Sequence, residues 1–132
     1  MVETIEKTIL RNLMYNEEYS RKVIPFLKKE YFSDNVERIL LKCILNFISE
    51  YSNIPTKESI VIALENESLM EESYKEAIST LNEFHNNREM NSDEDWLLTE
   101  TEKFCKDKAV YNAIMESIHI IDGKSETKTE NA

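Results

Sequence analysis

The longest helical stretch of the sequence lies at residues 93–122, which read DEDWLLTETEKFCKDKAVYNAIMESIHIID. It contains no glycine or proline, and its apolar residues recur at the spacing of a helix face. The carboxylates of Asp93 and Asp95 suit a helix N-terminus, where they interact favourably with the helix dipole. Gly123 is a typical helix-ending residue. The sequence therefore predicts a helix over about residues 93–122, followed by a disordered linker or tail at 123–132.

The second half of this helix is more apolar than one buried face requires. From Ala109 to Ile121 the apolar residues occupy well over half of the helix circumference, so a single contact with the core cannot cover them all. This pattern predicts association with another copy of the chain, and the alternative is a central helix surrounded by the chain's own bundle. The residues predicted to form the oligomer interface are Trp96, Phe104, Tyr111, Ile114, Met115, Ile118 and Ile121.

Helical periodicity continues through the rest of the chain and predicts an all-α, compact bundle of about six helices, the last one long and partly exposed. One glycine and two prolines in 132 residues leave few of the turn residues that a strand-rich fold needs. Asn16, Ser33 and Thr56 are the predicted helix N-caps, Thr56 without the Glu or Gln of a full capping box. A polar run then separates a helical head, residues 1–88, from the long helix at 93–122 of the same domain.

The formal net charge of −10 is unevenly distributed. Residues 1–62 are neutral overall, and residues 63–132 carry the entire excess of acid. Such a surface repels phosphate backbones and favours basic protein partners. Lys28 and Lys29 are weak candidates for contact with single-stranded nucleic acid, because they lie next to aromatic residues; the alternative is a solvated basic face beside core aromatics such as Phe32.

The sequence contains no motif that indicates catalysis. A phosphate-binding loop needs several glycines before a helix, and Gly123 follows one. His85 and His119 lack the spacing of metal ligands, and Cys43 and Cys105 are predicted to be buried free thiols in a reducing compartment. We therefore expect no catalytic residues, cofactor or metal in this chain. Without a signal peptide or an apolar membrane-spanning run, a cytoplasmic location is expected.

Several short stretches resemble a known family in their order and spacing. They are VIPF at 23–26, EYFS at 30–33, IPT at 54–56, ALENES at 63–68, WLL at 96–98, ETEKF at 100–104 and YNA at 111–113. Over residues 2–122, these stretches resemble the N-terminal domain of the DnaB-type replicative helicases of T-even-like bacteriophages.

The resemblance implies the collar of a hexameric, ATP-dependent 5′–3′ DNA helicase in the host cell cytoplasm. In this family a helical head precedes a hairpin of two long helices, the hairpins pair between subunits, and the collar binds primase and the helicase loader. Residues 96–121 resemble the first hairpin arm. Because the sequence ends at Ala132, the resemblance implies a fragment. ATP, Mg²⁺ and most of the DNA then bind the missing motor domain.

A different interpretation of the same composition is a small acidic regulatory protein that binds and inhibits a nucleic-acid enzyme through its negative second half. Such a protein is complete at Ala132. A reading frame that continues into a glycine-rich P-loop favours the helicase, and a stop codon after Ala132 favours the regulator.

Overall fold

The computed structural model describes residues 3–90 and 93–131, with side chains up to residue 123, and every regular element in that part of the chain is helical. The elements are α1 (Ile5–Tyr15), α2 (Glu17–Val23), a first 3₁₀ turn (Ile24–Phe26), a second 3₁₀ turn (Lys29–Tyr31), α3 (Asn35–Tyr51), α4 (Lys57–Glu65), α5 (Glu71–Asn86) and α6 (Glu94–Asn131). The predicted all-α fold with a long last helix is confirmed.

Local side-chain acceptors explain where two of the helices begin. The Asn16 side chain accepts a hydrogen bond from the backbone N–H of Tyr19 at 3.1 Å, which starts α2. Asp93 accepts one from the backbone N–H of Trp96 at 2.9 Å, which starts α6. Each side chain satisfies a backbone donor that has no partner within its helix, so both predicted starts are confirmed.

Two predicted caps differ from the structure. Helix α3 is capped by Asp34 instead of Ser33, because the Asp34 carboxylate accepts from two backbone N–H groups and a charged acceptor binds them more strongly than a hydroxyl does. Thr56 also belongs to a full capping box, contrary to the prediction. The hydroxyl of Ser59 accepts from the Thr56 backbone N–H at 3.0 Å, in the place that Glu or Gln usually takes.

The core of the bundle is formed by helices α1–α5, here called the head, together with the first turns of α6. Every helix contributes fully buried side chains, among them Leu10, Leu13, Tyr19, Leu40, Ile44, Ile60, Leu81 and Leu97. Cys43 and Cys105 are buried free thiols, as predicted. Burial raises the pKa of the Cys43 thiol to about 11, so this side chain stays neutral and unreactive at neutral pH.

A buried arginine ties the N-terminal segment to the loop between α5 and α6. Arg11 on α1 is 2% exposed and forms an ion pair with Glu3, with Nη2 3.0 Å from Oε1. Its Nη1 donates to the backbone carbonyls of Met90 at 3.1 Å and Asn87 at 3.4 Å, in the loop between α5 and α6. One side chain thus fixes two segments that are distant in sequence.

Helix α6 continues past Gly123, and its backbone is helical to Asn131. A glycine ends a helix when it adopts a left-handed conformation, and Gly123 has no positive φ. The helix end predicted at about residue 122 is therefore wrong for the backbone. The linker or tail assigned to 123–132 stays a prediction, and its side chains from residue 124 onward lie outside the described residues.

Candidate assembly surface

The first half of α6 is embedded in the head. Leu97 and Thr101 are buried, and the ring of Phe104 meets that of Phe32 edge-on, with centroids 5.4 Å apart. The Thr101 hydroxyl donates to the Leu97 carbonyl at 2.7 Å, so the Tyr19 hydroxyl is the donor in its 2.6 Å hydrogen bond to Thr101. Burial raises the pKa of Tyr19 above its usual range, which keeps it a neutral donor. This half of α6 is part of the core.

Two polar contacts hold α6 against the head at its start and near its middle. Lys22 on α2 lies 3.4 Å from a carboxylate oxygen of Glu94 at the first turn of α6. Asn112 Nδ2 donates to the backbone carbonyl of Glu30 in the second 3₁₀ turn at 3.0 Å. Because Asn112 lies half-way along the helix, these contacts fix the direction in which α6 leaves the head.

From Ala109 onward the apolar side chains of α6 are exposed to solvent, except for that of Met115, which is half-buried. Their exposed fractions lie between 45% and 66% for Val110, Tyr111, Ile114, Ile118, Ile120 and Ile121. Four of these side chains share one side of the helix, since they follow the i, i+4, i+8, i+11 spacing. We call this set, Val110, Ile114, Ile118 and Ile121, the apolar stripe. Exposed apolar side chains in such a group are typical of an interaction surface.

The structure brings together some of the predicted interface residues and separates others. The exposed part of α6 contains Tyr111, Ile114, Ile118 and Ile121. Met115 is half-buried. Trp96 is half-exposed, but it lies about 27 Å from Ile114 along the helix. Phe104 is buried against Phe32, so it is not available on the exposed surface.

A second uncovered apolar feature is a concavity of about 550 Å³ between α2, the first 3₁₀ turn and α6. We call it the apolar groove, and its apolar lining consists of Val23, Phe26, Tyr31, Leu98, Cys105 and Ala109. The ring of Phe26 is 65% exposed. No local sequence pattern predicts this groove, because its walls come from two segments about 70 residues apart.

The charges at the rim of the apolar groove are paired within the chain. Lys22 lies 3.4 Å from carboxylate oxygens of both Glu18 and Glu94. Lys106 pairs with Glu102 at 2.9 Å. The pairing raises the pKa of both lysines. The groove therefore presents an apolar interior with a rim of internally balanced charge.

The two lysines proposed for nucleic-acid contact lie outside this region. Lys28 and Lys29 are exposed around the second 3₁₀ turn, and Lys29 lines a smaller concavity of about 280 Å³ with Glu30, Arg38 and Lys42, among others. Phe32 is fully buried, which agrees with the alternative of a core aromatic. Nucleic-acid contact at Lys28 and Lys29 stays a prediction.

Within the described residues, no group of three or more His, Cys, Asp or Glu side chains is arranged to hold a metal ion. His85 faces Tyr15, with Nδ1 3.4 Å from the hydroxyl oxygen. Among the described helices, none combines the length and apolar character needed to cross a membrane.

Comparison with known proteins identifies the chain more closely than its geometry does. No family model matches it. The chain is 31% identical over 112 residues to the DnaB-like replicative helicase of Enterobacteria phage T4. The match covers 85% of this chain but only 23% of the length of that relative. It confirms the resemblance found in the sequence: the chain is homologous to one domain of a DnaB-like replicative helicase.

Proposed function

We propose that this chain is the N-terminal collar domain of a hexameric replicative DNA helicase and that α6 joins its subunits. The observation that carries the proposal is the apolar stripe, whose four large side chains are exposed on the half of α6 that leaves the head. Burying exposed apolar surface in a contact between subunits is favourable in proportion to the area removed from water. Homology to part of a replicative helicase favours this function over that of a small acidic regulator.

In this proposal the collar assembles subunits and does no catalysis. The parent protein is an ATP-dependent 5′–3′ DNA helicase of the host cell cytoplasm, and a separate motor domain binds ATP and Mg²⁺ and makes the main contacts with DNA. Residues 1–88 form the head, and residues 93–122 form the assembly helix. Because the proposed role is binding, variants of the chain are tested by measuring their association with partner molecules and not by measuring catalytic turnover.

The collar also docks primase and the helicase loader in this proposal. The support is the charge distribution, since the second half of the chain carries the entire excess of −10. An acidic surface accelerates and orients the approach of basic protein surfaces. Binding to primase or loader is therefore expected to weaken as salt is raised from 50 to 500 mM. Salt-independent binding would contradict a charge-steered contact.

Sedimentation equilibrium of the chain over a concentration series tests the assembly role. The wild-type chain is expected to associate reversibly, and Ile114→Asp/Ile118→Asp is expected to weaken association at least about tenfold, because two charges enter the stripe. The matched control is Ile62→Asp/Met70→Asp, which places two charges at exposed apolar residues outside α6. Unchanged association of the double variant, or a wild-type chain that stays monomeric, would refute the assembly role.

A further inference from the structure

We propose that a small concavity on the head binds the phosphate backbone of single-stranded nucleic acid. It measures about 280 Å³ and lies between the second 3₁₀ turn and α3. We call it the basic concavity, and it is lined by Lys29, Glu30, Asn35, Arg38, Ile39 and Lys42. The inference goes beyond the assembly role of α6 and does not depend on it, because these lining residues belong to other elements.

The lining of the basic concavity is positive, although the chain carries a net charge of −10. Lys29, Arg38 and Lys42 are cationic, and Glu30 is the only carboxylate among the described lining residues. Lys28 is exposed directly before Lys29. At physiological salt, charges more than about 8 Å away are largely screened, so the local charge decides which ions bind here.

Two of these cations are available to a ligand. Lys29 and Arg38 are exposed, and neither takes part in an ion pair within the described part of the chain. Arg38 Nε donates to the backbone carbonyl of Phe32, which fixes the position of the guanidinium group. By contrast, Arg21 on α2 is paired with Glu17. A phosphate can therefore bind Lys29 and Arg38 without breaking an ion pair.

Two carboxylates near the basic concavity are already engaged. Glu67 pairs with Lys42, with Oε2 3.0 Å from Nζ. Asp34 Oδ1 accepts from the backbone N–H groups of Val36 at 2.8 Å and Glu37 at 3.1 Å. Glu30 is then the carboxylate most directly opposed to a bound anion, so its charge limits the affinity of the site.

The dimensions of the site favour a strand over a compact ligand. A volume of 280 Å³ is below the roughly 300–1,000 Å³ typical of small-molecule sites. Arg38 and Lys42 lie one helical turn apart, about 6 Å along α3, and Lys28 extends the row of cations beyond the lining. A duplex carries about twice the charge per length of one strand, and its second strand would approach the acidic remainder of the surface. A single strand fits this narrow positive area better.

Fluorescence anisotropy with a labelled oligothymidylate of about 20 nucleotides tests the inference. The wild-type chain is expected to bind with a Kd on the order of 10⁻⁵ M at about 50 mM salt. A plot of the logarithm of the association constant against that of the salt concentration is expected to have a slope of about −2, because about three phosphates are neutralised.

Lys29→Gln/Arg38→Gln is expected to bind at least about tenfold more weakly and to reduce the magnitude of that slope by about 1.4, since two phosphate contacts are lost. The matched control is Arg88→Gln/Lys103→Gln, which removes the same charge at exposed residues outside the basic concavity. Arg88 also donates to a backbone carbonyl, that of His85. The control is expected to change the affinity by about twofold or less.

Glu30→Gln is expected to have the opposite effect and to tighten binding a few-fold, because it removes the carboxylate from the lining. The backbone carbonyl of Glu30, which accepts from Asn112, remains. A damaged fold would not bind the oligonucleotide more tightly, so this gain separates a specific site from unfolding. Circular dichroism checks the fold of the double variants.

Four outcomes would overturn the inference. They are no binding by wild type at about 50 mM salt, equal weakening of the site and control variants, displacement of the oligonucleotide by millimolar inorganic phosphate, and binding of a duplex of the same length as tightly as the single strand. The assembly role is tested separately, by sedimentation equilibrium of variants of the apolar stripe. Failure of either proposal can therefore be recognised independently of the other.

Discussion

From Glu94 to Lys108, α6 packs against α1, α2 and the second 3₁₀ turn, and its apolar side chains Leu97 and Phe104 are buried. From Ala109 to Gly123 the same helix is more apolar and yet more exposed. The hydrophobicity of a helix therefore does not decide its burial. Burial follows from how far the head extends along α6, and the polar contact of Asn112 marks that limit. The apolar side chains of the exposed half are in contact with solvent.

Alanine substitutions are expected to show the largest difference between the embedded and the exposed half of α6, in the free energy of unfolding that each loses. Leu97→Ala is expected to lower the free energy of unfolding by about 2 to 5 kcal/mol, because it leaves a cavity in the core. Ile118→Ala is expected to change that of the monomer by about 0.5 kcal/mol or less, because its side chain is already solvated. Urea denaturation at a concentration where the chain is monomeric measures both. Equal losses would show that the outer half is also packed.

Removal of the Arg11 side chain tests how the loop that precedes the embedded half of α6 is held in place. Arg11→Met is expected to cost about 3 kcal/mol, because it leaves Glu3 and two loop carbonyls without their buried donor. Arg21→Met, at an exposed pair with Glu17, is the matched control and is expected to cost about 0.5 kcal/mol or less. Urea denaturation gives both values, and amide hydrogen exchange is expected to rise in the loop between α5 and α6. Equal losses of unfolding free energy in the two variants would contradict a stabilising role for the buried hydrogen bonds of Arg11.

The head, unlike the outer half of α6, is expected to contribute a pH-dependent stability through Glu37. Burial, together with the nearby carboxylates of Asp34 and Glu6, raises the pKa of this carboxyl to about 7, against the opposing effect of Lys7. The unfolded carboxyl loses its proton near pH 4.5. Between these values the folded state binds more protons than the unfolded state, so the stability contributed by Glu37 is present below pH 4.5 and is lost as the pH rises through 7.

Glu37→Gln removes this titration and keeps the shape of the side chain. At pH 8 the variant is expected to be more stable than wild type by on the order of 1 to 2 kcal/mol, a value reduced for solvent screening. At pH 4 the difference is expected to become small. Urea denaturation of both proteins at both pH values gives the stability difference between them at each pH. Because the two proteins share all their other carboxylates, a change in that difference with pH reports on Glu37. A difference that stays constant with pH would rule out ionisation of Glu37 as the cause.

The smallest effect is expected at Gly123, in the exposed half. Gly123→Ala is expected to stabilise the helix locally by about 1 kcal/mol or less, because alanine has the higher helix propensity and its Cβ would meet no atom within 4 Å. A small rise in helical circular dichroism, without a change in the urea midpoint of the head, is the expected observation. A fall in helicity would indicate that the glycine ends the helix in solution.

Features that depend on neighbouring residues could be predicted from the sequence, and features that depend on distant ones could not. Asn16 and Asp93 cap helices through contacts three residues away, and both were found from local patterns. Arg11 binds Glu3 and carbonyl groups 76 and 79 residues away, so its burial among apolar residues had no local signal.

Prediction of the candidate assembly surface was limited in the same way, by contacts between residues that are distant in sequence. The excess of apolar residues on α6 predicted exposure correctly, because that conclusion needs only the helix circumference. Periodicity places Phe104 and Ile114 equally well on a helix face, but it cannot tell where the head ends along that helix. Phe104, predicted to lie in the oligomer interface, is buried against Phe32 in the single chain, and no local pattern indicates the groove beside Phe26.

The hydrogen bond from Asn112 to the Glu30 carbonyl gives α6 a fulcrum. The helix rises about 16 Å between Asn112 and Gly123. A tilt of about 10° at the fulcrum therefore moves the outer end by about 3 Å. A partner bound to the apolar stripe would therefore act on the head through a long lever arm. Displacement of the outer end is opposed at the other end of α6, where Leu97 is fully buried in the core.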